Sequence, residues 1–307
     1  MTMIFDIGHV SLHVPDLDEA VRFASEFLGM HEVERVGDTA FLTLASPYPS
    51  VGAHCPHHVV EYTLAPEPAL DHVGLVARDE AAVEEFIERA IDHGGVVLEG
   101  APEPGIERGV RVAGPSGHVF EVYPGMKHQD IDYERRGVPP HRLGHVTFWS
   151  RDTPALVDFC TKALGFRISD WVGDPGKRSG CFMRCQFEHH QLAALTGPVD
   201  GIYHYAFEMG SVADISRLGD LLARRGMRFH WGPGRHGAGD NIAAYFAGPG
   251  GITIEAYADM QKIADPGWQP RVWSGDELAI ALNLWGPAGD PAPMRNYVGT
   301  AASHSVR

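Results

Sequence analysis

Apolar residues along this chain follow two periodicities, one typical of an α-helix and the other typical of a β-strand. Four stretches carry apolar residues at helical spacing: Leu17–Met30, Glu80–His93, 154–166 and 212–226. Each stretch follows a short strand-like segment and precedes short alternating segments broken by Gly and Pro, such as Arg111–Val122. The pattern predicts four units, each made of a strand, a helix and several further strands.

The units belong to a longer repeat, because three pairs of similar segments recur at nearly one offset. The pairs are AGPSGHVFEVY (113–123) with AGPGGITIEAY (247–257), GHVSL (8–12) with GHVTF (144–148), and DHVGL (71–75) with YHYAF (203–207). Their offsets are 134, 136 and 132 residues. A repeat at a fixed offset indicates a duplicated module. We therefore predict two tandem modules of α+β class, each made of two units.

The predicted limits follow from where the repeat begins and stops. The chain divides into an N-terminal module (1–128), a linker (129–141), a C-terminal catalytic module (142–262) and a tail or lid (263–307). The linker is polar and carries Pro139 and Pro140, as is common between domains. The tail contains three Trp residues and lies outside the repeat, so we expect it to wrap around a module or cover its site.

Composition and charge limit the classes of partner. Of 307 residues, 44% are apolar and 21% are charged, which is ordinary for a globular protein. The formal net charge of −15 disfavours binding to the phosphates of nucleic acids. The N-terminus has no basic segment followed by an apolar run, and no stretch is long and apolar enough to span a membrane. We therefore expect a cytoplasmic protein that binds neither nucleic acid nor membrane.

Three polar residues interrupt apolar strand segments of the C-terminal module at matching positions. They are His145 in HVTFW, His204 in YHYAF and Glu255 in GITIEAY. A carboxylate within an apolar strand is costly unless it is paired or bound to a metal. Two His and one carboxylate form the facial triad of non-haem Fe(II) sites, which leaves coordination positions open for small molecules. Thr147 lies on the same predicted strand face as His145.

The N-terminal module carries a similar trio, His9, His72 and Glu121, at similar spacing. The surroundings differ, because the C-terminal module adds His236 and Tyr245, whereas the aligned segment 101–111 contains neither His nor Tyr. We therefore interpret the N-terminal trio as lacking neighbouring acid–base groups. We expect it to bind no catalytic metal.

The sequence resembles the type I extradiol ring-cleaving dioxygenases of the vicinal oxygen chelate superfamily, in particular the catechol and homoprotocatechuate 2,3-dioxygenase branch. The resemblance rests on the tandem modules, on GPGRHG (232–237) with its 19-residue step to Glu255, and on the 45-residue step from His145 to His190. It implies modules of two βαβββ units that form a curved, partly open barrel. It also implies a homodimer or homotetramer.

For the site, the resemblance implies Fe(II), with Mn(II) as an alternative, bound by the C-terminal trio. The substrates would be O2 and a catechol, cleaved beside its hydroxyl groups to a muconic semialdehyde-type product. His190 falls on the family's acid–base histidine, although its neighbour His189 is an alternative. His236 falls on a histidine that binds the substrate, and Tyr245 lies beside it.

The position of Trp231, five residues before His236, suggests the type of catechol. Relatives that act on carboxylated catechols have an arginine there, whereas an indole offers only a flat apolar face. We therefore expect a catechol without a carboxylate, in a pocket formed by Trp231, Phe182 and Thr147. The alternative functions are a glyoxalase-like isomerase or thiol transferase of the same superfamily, and a protein that only binds an aromatic ligand.

Overall fold

A computed structural model describes residues 2–44, 54–131, 136–286 and 296–301 of the chain. The N-terminal half forms an eight-stranded sheet and the small pair β4 and β10. Its strands are β1 (Ile4–Val14), β2 (Met30–Val36), β3 (Thr39–Leu44), β4 (His54–Pro56), β5 (Val60–Leu64), β6 (Ala69–Ala77), β7 (Val96–Leu98), β8 (Val110–Ala113), β9 (Val119–Tyr123) and β10 (His128–Asp130).

The C-terminal half forms a ten-stranded sheet. Its strands are β11 (Arg142–Ser150), β12 (Arg167–Val172), β13 (Gly180–Arg184), β14 (Leu192–Thr196), β15 (Gly201–Glu208), β16 (Trp231–Arg235), β17 (Ile242–Ala247), β18 (Thr253–Ala258), β19 (Arg271–Trp273) and β20 (Val298–Gly299).

The two sheets have the same strand order, which confirms the predicted duplication. The first runs β2-β3-β5-β1-β6-β9-β8-β7, and the second runs β12-β13-β14-β11-β15-β18-β17-β16 with β19 added beside β12. Each half contains two βαβββ units, and neither sheet closes into a barrel. The predicted α+β class and the four repeated units are therefore confirmed.

The four repeated helices lie close to the predicted stretches, and local caps fix their ends. They are α1 (Leu17–Leu28), α2 (Glu80–Asp92), α3 (Thr153–Lys162) and α4 (Val212–Arg224). Asp16 accepts a hydrogen bond from the Glu19 backbone N–H at the start of α1, and Gly29 ends the helix with φ 62°. Among the described residues, no helix has the length and apolar character needed to cross a membrane.

Both halves contribute to one continuous apolar core. Phe23 of α1 stacks on Phe246 of β17, with ring centroids 6.4 Å apart, and Phe120 of β9 stacks on Phe159 of α3 at 5.9 Å. These contacts pack the first unit against the fourth and the second against the third. The two halves therefore share one core and stabilise each other rather than forming independent domains.

The tail adds strands to the C-terminal sheet as well as covering part of it. β19 pairs with β12, β20 pairs with β15, and the short helix α5 (Glu277–Leu282) follows β19. The predicted linker starts inside β10, which pairs with β4. Residues 132–135 of that linker, and residues 287–295 and 302–307 of the tail, lie outside the described residues.

The contact between Tyr62 and Tyr205 gives a test of the interface between the halves. Their hydroxyl groups lie 3.0 Å apart, and both side chains are fully buried. Tyr62→Phe should lower the free energy of unfolding by about 1–3 kcal/mol, because it leaves the buried Tyr205 hydroxyl without this partner. Urea unfolding followed by tryptophan fluorescence measures the change. The double variant Tyr62→Phe/Tyr205→Phe should recover much of the loss; a loss equal to the sum of the single variants would contradict the coupling.

Candidate active site

Three adjacent strands, β11, β15 and β18, place the predicted ligands on one face of the C-terminal sheet. His145 of β11 and Glu255 of β18 both pair with Ala206 of β15. His204 lies two residues before Ala206, so its side chain points to the same face. The small Ala206 methyl between the two longer side chains leaves room for them to converge.

The distances between the three ligand atoms fit a bound divalent metal. Nε2 of His145 lies 3.2 Å from Nε2 of His204, and both nitrogens lie 3.0 Å from Oε2 of Glu255. With metal–ligand bonds of about 2.1 Å, adjacent ligands of an octahedral ion lie about 3.0 Å apart. The trio therefore fits three neighbouring coordination positions, and the other positions stay open.

The electrostatic setting keeps Glu255 and His204 in their metal-binding forms. Burial opposes ionisation of Glu255, but the neighbouring His145 and hydrogen bonds from His145 and His204 hold the pKa of its carboxyl well below the usual value. Burial lowers the pKa of His204 to about 4. A carboxylate and neutral imidazoles are the forms that coordinate a metal. Asn241 donates a hydrogen bond of 3.0 Å to Oε1 of Glu255 and fixes that carboxylate.

The trio lies in the wall of a cavity of about 490 Å³, large enough for a small aromatic molecule. The cavity is also lined by Thr147, Trp149, Val172, Phe182, His190, Leu195, Thr196, Tyr203, His236, Ala238, Asn241, Tyr245, Leu278, Ala281, Leu282 and Tyr297. Neither Lys nor Arg is among these described lining residues. An apolar cavity with a few polar groups near a metal centre suits an uncharged aromatic ring.

His190 lies against the metal trio, with its ring centroid 4.4 Å from that of His145. Its Nδ1 lies 3.0 Å from Nδ1 of the buried His189, whose Nε2 lies 3.2 Å from Oδ2 of Asp170. The charge of the Asp170 carboxylate favours the tautomer with a proton on Nε2 of His189, although this nitrogen makes no hydrogen bond among the described residues; in that tautomer Nδ1 of His189 accepts the Nδ1–H of His190. Nε2 of His190 is then unprotonated. Burial, with the nearby His145, lowers the pKa of His190 well below its usual value.

His236 and Tyr245 form a second polar pair in the cavity wall. Nδ1–H of His236 donates to the Leu282 carbonyl at 2.6 Å, and the Tyr245 hydroxyl lies 3.0 Å from Nε2 of His236. Because its neutral ring carries only one proton, His236 accepts the Tyr245 hydrogen bond at Nε2. Burial, with the charge of Glu255, raises the pKa of Tyr245 well above its usual value, so the phenol keeps its proton.

Trp231 is not among the described residues that line the cavity, which differs from the predicted pocket. Its ring stacks on the face of His236, with centroids 4.8 Å apart and planes 6° apart. Trp231 therefore packs against the face of His236 outside the cavity. Its position on β16 directs the indole into the packing around Tyr245 and Tyr257. The structure brings the other predicted residues to the cavity, including Phe182 and Thr147, whose Oγ1 lies 3.0 Å from Nε2 of His204.

Sequence reasoning missed two buried polar residues beside the site, Asn241 and Asp170, and it did not foresee the contact of His189 with His190. The sequence carried a signal for Asp170, which is a carboxylate within the strand RISDWV. The structure shows that this carboxylate is buried. Asn241 comes at the start of a strand, where a polar residue is unremarkable.

The N-terminal trio occupies the equivalent positions of the first sheet. His9 and Glu121 both pair with Gly74 of β6, as His145 and Glu255 pair with Ala206. A Cβ atom on Gly74 would come within 2.1 Å of the His9 ring, so the ring lies directly over the glycine.

The interpretation that this trio lacks a neighbouring acid–base group is wrong. The ring centroid of the fully buried His58 lies 4.6 Å from that of His9. Nδ1 of His58 lies 3.1 Å from Nδ1 of His57, matching the pair His189 and His190. The two pairs lie 132 residues apart, which matches the offset of the repeat, but neither pair lies within the three matching segments.

Comparisons with known proteins agree with this geometry. The family model described as the Glyoxalase/Bleomycin resistance protein/Dioxygenase superfamily matches residues 6–122 and 142–256, which are the two repeated parts of the fold. A manganese-dependent 2,3-dihydroxybiphenyl 1,2-dioxygenase of Geobacillus genomosp. 3 is 27% identical over 312 residues, covering 95% of this chain and 97% of the relative.

Two further proteins are similar to this chain. An iron-dependent extradiol dioxygenase of Rhodococcus jostii (strain RHA1) is 29% identical over 188 residues, covering 56% of this chain and 61% of the relative. The crystal structure of the Mn(II)-bound glyoxalase from Novosphingobium aromaticivorans superposes with a TM-score of 0.85, at 28% identity, over 99% of this chain and all of the other.

Replacing Glu255 with Ala should remove about one equivalent of bound Fe(II) or Mn(II) per chain, because an open centre with three protein ligands does not survive the loss of its only carboxylate. Elemental analysis after gel filtration measures the loss. Glu188→Gln is the matched control, since Glu188 is equally buried but binds Arg142 and Lys262. Unchanged metal content in Glu255→Ala would contradict this ligand set.

Proposed function

Because this chain belongs to the Glyoxalase/Bleomycin resistance protein/Dioxygenase superfamily, we propose that it is an extradiol dioxygenase that cleaves the ring of a catechol with O2. Its metal is Fe(II) or Mn(II), held by His145, His204 and Glu255. Both atoms of O2 enter the product, a muconic semialdehyde, when the ring bond beside the two hydroxyl groups breaks.

One observation carries the proposal: the three-ligand centre opens into an apolar cavity that also holds His190, His236 and Tyr245. A structural metal site uses four protein ligands and leaves no position for substrates. A protein that only sequesters an aromatic ligand has no need of a proton-transfer residue beside the metal. The combination of open centre and acid–base groups favours an enzyme.

A divalent metal held by His145, His204 and Glu255 would supply open coordination positions for the catechol oxygens and O2, and it would lower the pKa of a bound hydroxyl group. Glu255 is the only carboxylate among the three proposed ligands, so it would leave part of the metal's positive charge to favour a deprotonated catechol.

His190 is placed to move the protons. Its unprotonated Nε2 can accept a proton from a catechol hydroxyl group, and it can return that proton to an oxygen atom when the ring opens. His189 orients the imidazole through the Nδ1–Nδ1 contact of 3.0 Å, and the charge of Asp170 beside His189 favours the tautomer in which His190 donates. His190 is therefore first a base and then an acid.

His236 and Tyr245 are placed in the cavity wall to contact the substrate oxygens. The Tyr245 hydroxyl and His236 lie 3.0 Å apart, and the Leu282 carbonyl keeps His236 from rotating. The Tyr245 O–H, which donates to His236, would stabilise negative charge that develops on a substrate oxygen if it turned from His236 to that oxygen. Phe182 and Tyr203 provide flat surfaces for the ring.

A glyoxalase-like isomerase is the second candidate, favoured by the superposition on the Mn(II)-bound glyoxalase. An isomerase would act without consuming O2. Anaerobic reconstitution of the metal-free protein with Fe(II) or Mn(II), followed by an O2 electrode and a panel of catechols, separates the two. Stoichiometric O2 uptake with a yellow product supports the dioxygenase; conversion of a thiol adduct without O2 uptake overturns it.

Replacing His190 with Asn should slow turnover by a factor on the order of 10²–10⁴, as expected for loss of an acid–base group. The metal content should stay the same, because His190 is not a ligand. Stopped-flow absorbance and metal analysis measure the two quantities. His189→Asn should slow turnover less, and a larger effect at His189 than at His190 would reverse the two assignments.

The substrate should be a catechol without a carboxylate, carrying an alkyl or aryl group. The described cavity wall offers no guanidinium or ammonium group to pair with an anion, and its aromatic and aliphatic residues suit an apolar substituent. Values of kcat/KM for 3-methylcatechol, 2,3-dihydroxybiphenyl and homoprotocatechuate decide the matter. Higher kcat/KM for homoprotocatechuate would refute this account of the pocket.

A further inference from the structure

A second cluster of buried ionisable side chains lies in the N-terminal sheet, well apart in sequence from the ligands described above. It comprises His9, His58, His72, Glu61, Glu103, Glu121 and the half-buried Arg111. Four of its polar atoms are buried without a hydrogen-bond partner among the described residues: Nε2 of His58 and Oε2 of Glu61, Glu103 and Glu121. Unpartnered polar atoms are rare inside proteins, and four in one place indicate a missing group.

The spacing of the ligand atoms matches that of the C-terminal centre. Nε2 of His9 lies 2.9 Å from Nε2 of His72. Glu103 completes the triangle, with Oε2 3.3 Å from Nε2 of His9 and Oε1 3.2 Å from Nε2 of His72. Oε2 of Glu61 lies 3.9 Å from Nε2 of His72. The distances of 2.9, 3.2 and 3.3 Å fit the edges of a coordination polyhedron with bonds of about 2.1 Å, whereas Glu61 lies farther out and would move inward to bind.

The outer nitrogen atoms of the two histidines are held as in known metal sites. Nδ1–H of His72 donates to Asp71 at 2.7 Å, which leaves Nε2 with a free lone pair. Nδ1 of His9 lies 3.0 Å from the Tyr123 hydroxyl. Ligating histidines are typically oriented by a carboxylate or another polar group in this way.

The hydrogen bonds around the cluster leave several of its atoms without a donor. His57 donates from Nε2 to Glu34 at 3.0 Å, and Nδ1 of His57 lies 3.1 Å from Nδ1 of His58. Arg111 donates to Oε1 of Glu103 and of Glu121, but Oε2 of Glu61, Glu103 and Glu121 has no hydrogen-bond partner among the described residues.

The charges lead to the same conclusion. Glu61, Glu103 and Glu121 face one guanidinium, that of Arg111, which pairs with Glu103 and with Oε1 of Glu121 at 3.2 Å. Three buried carboxyl groups thus share one positively charged partner, and a buried charge without a partner is costly. A divalent cation would supply the missing positive charge.

We propose that His9, His72, Glu103 and Glu61 bind a second divalent metal ion, of the Zn(II) type, as a closed four-coordinate structural centre. Their ligand atoms all lie within 4.8 Å of one another. Four protein ligands leave no open position for O2 or a catechol. Arg111 occupies the place that Tyr245 has in the other module, since it pairs with Glu121 as Tyr245 pairs with Glu255. The Arg111 guanidinium in that place prevents a substrate from binding and pairs with the carboxylates.

The test uses the full chain carrying Glu255→Ala, which disables the C-terminal centre, so bound metal reports on the N-terminal cluster. After treatment with a chelator, loading with Zn(II) and gel filtration, it should retain about one equivalent of metal per chain. Adding Glu103→Gln or His72→Gln should abolish that binding. Adding Glu107→Gln, an exposed carboxylate in the same loop, should not. Thermal unfolding provides a second readout: metal should raise the Tm of Glu255→Ala and leave that of Glu255→Ala/Glu103→Gln unchanged.

The proposal is overturned if Glu255→Ala retains no metal and shows no change in Tm, or if Glu103→Gln leaves binding intact. If the Glu103 and His72 variants do not fold, the unmodified protein decides, with two equivalents of metal supporting the proposal and one refuting it. None of these measurements requires turnover, so the result is independent of the proposed dioxygenase activity.

Discussion

The architecture of this protein depends on a carboxylate buried among histidines in the middle of an apolar sheet. Glu255 is almost completely buried, and its oxygen lies 3.0 Å from both His145 and His204. Such a carboxylate is stable only with a compensating positive charge. Three strands must lie side by side in a fixed register to bring the groups together, and Ala206 between them must stay small. The register of β11, β15 and β18, in which His145 and Glu255 both pair with Ala206, meets this requirement.

Duplication has used one framework for two different purposes. Both sheets place His and Glu on either side of a small residue, and both add a pair of adjacent histidines. The two halves differ in the strand beside the one that carries the carboxylate, β17 or β8, and in the loop before that strand. The C-terminal half has Tyr245 and His236 there, which face a cavity. The N-terminal half has Arg111 and Glu103, which fill the equivalent space with charge.

Much of this arrangement could be predicted from sequence, because the signals were repeated or local. The four helices follow from apolar spacing, and the duplication follows from short matching segments such as GHVSL and GHVTF. The cavity wall was harder to predict, because it depends on which way a side chain turns once its strand is placed. Trp231 lies behind His236 for that reason. Asp170 reaches His189 across two strands and takes hydrogen bonds from residues about 100 positions later, a contact with no local pattern.

The attachment of the tail to Asp170 and His236 has a consequence for the length of chain that the site requires. Arg271 and Trp273 donate hydrogen bonds to the Asp170 carboxylate beside His189, and the Leu282 carbonyl accepts a hydrogen bond from His236. All three tail positions follow Glu255, the last of the three proposed metal ligands. A chain that ended between Glu255 and Arg271 would keep the proposed ligands but lose the groups that hold Asp170 and His236. Removal of the tail would therefore affect proton transfer more than the ligand set itself.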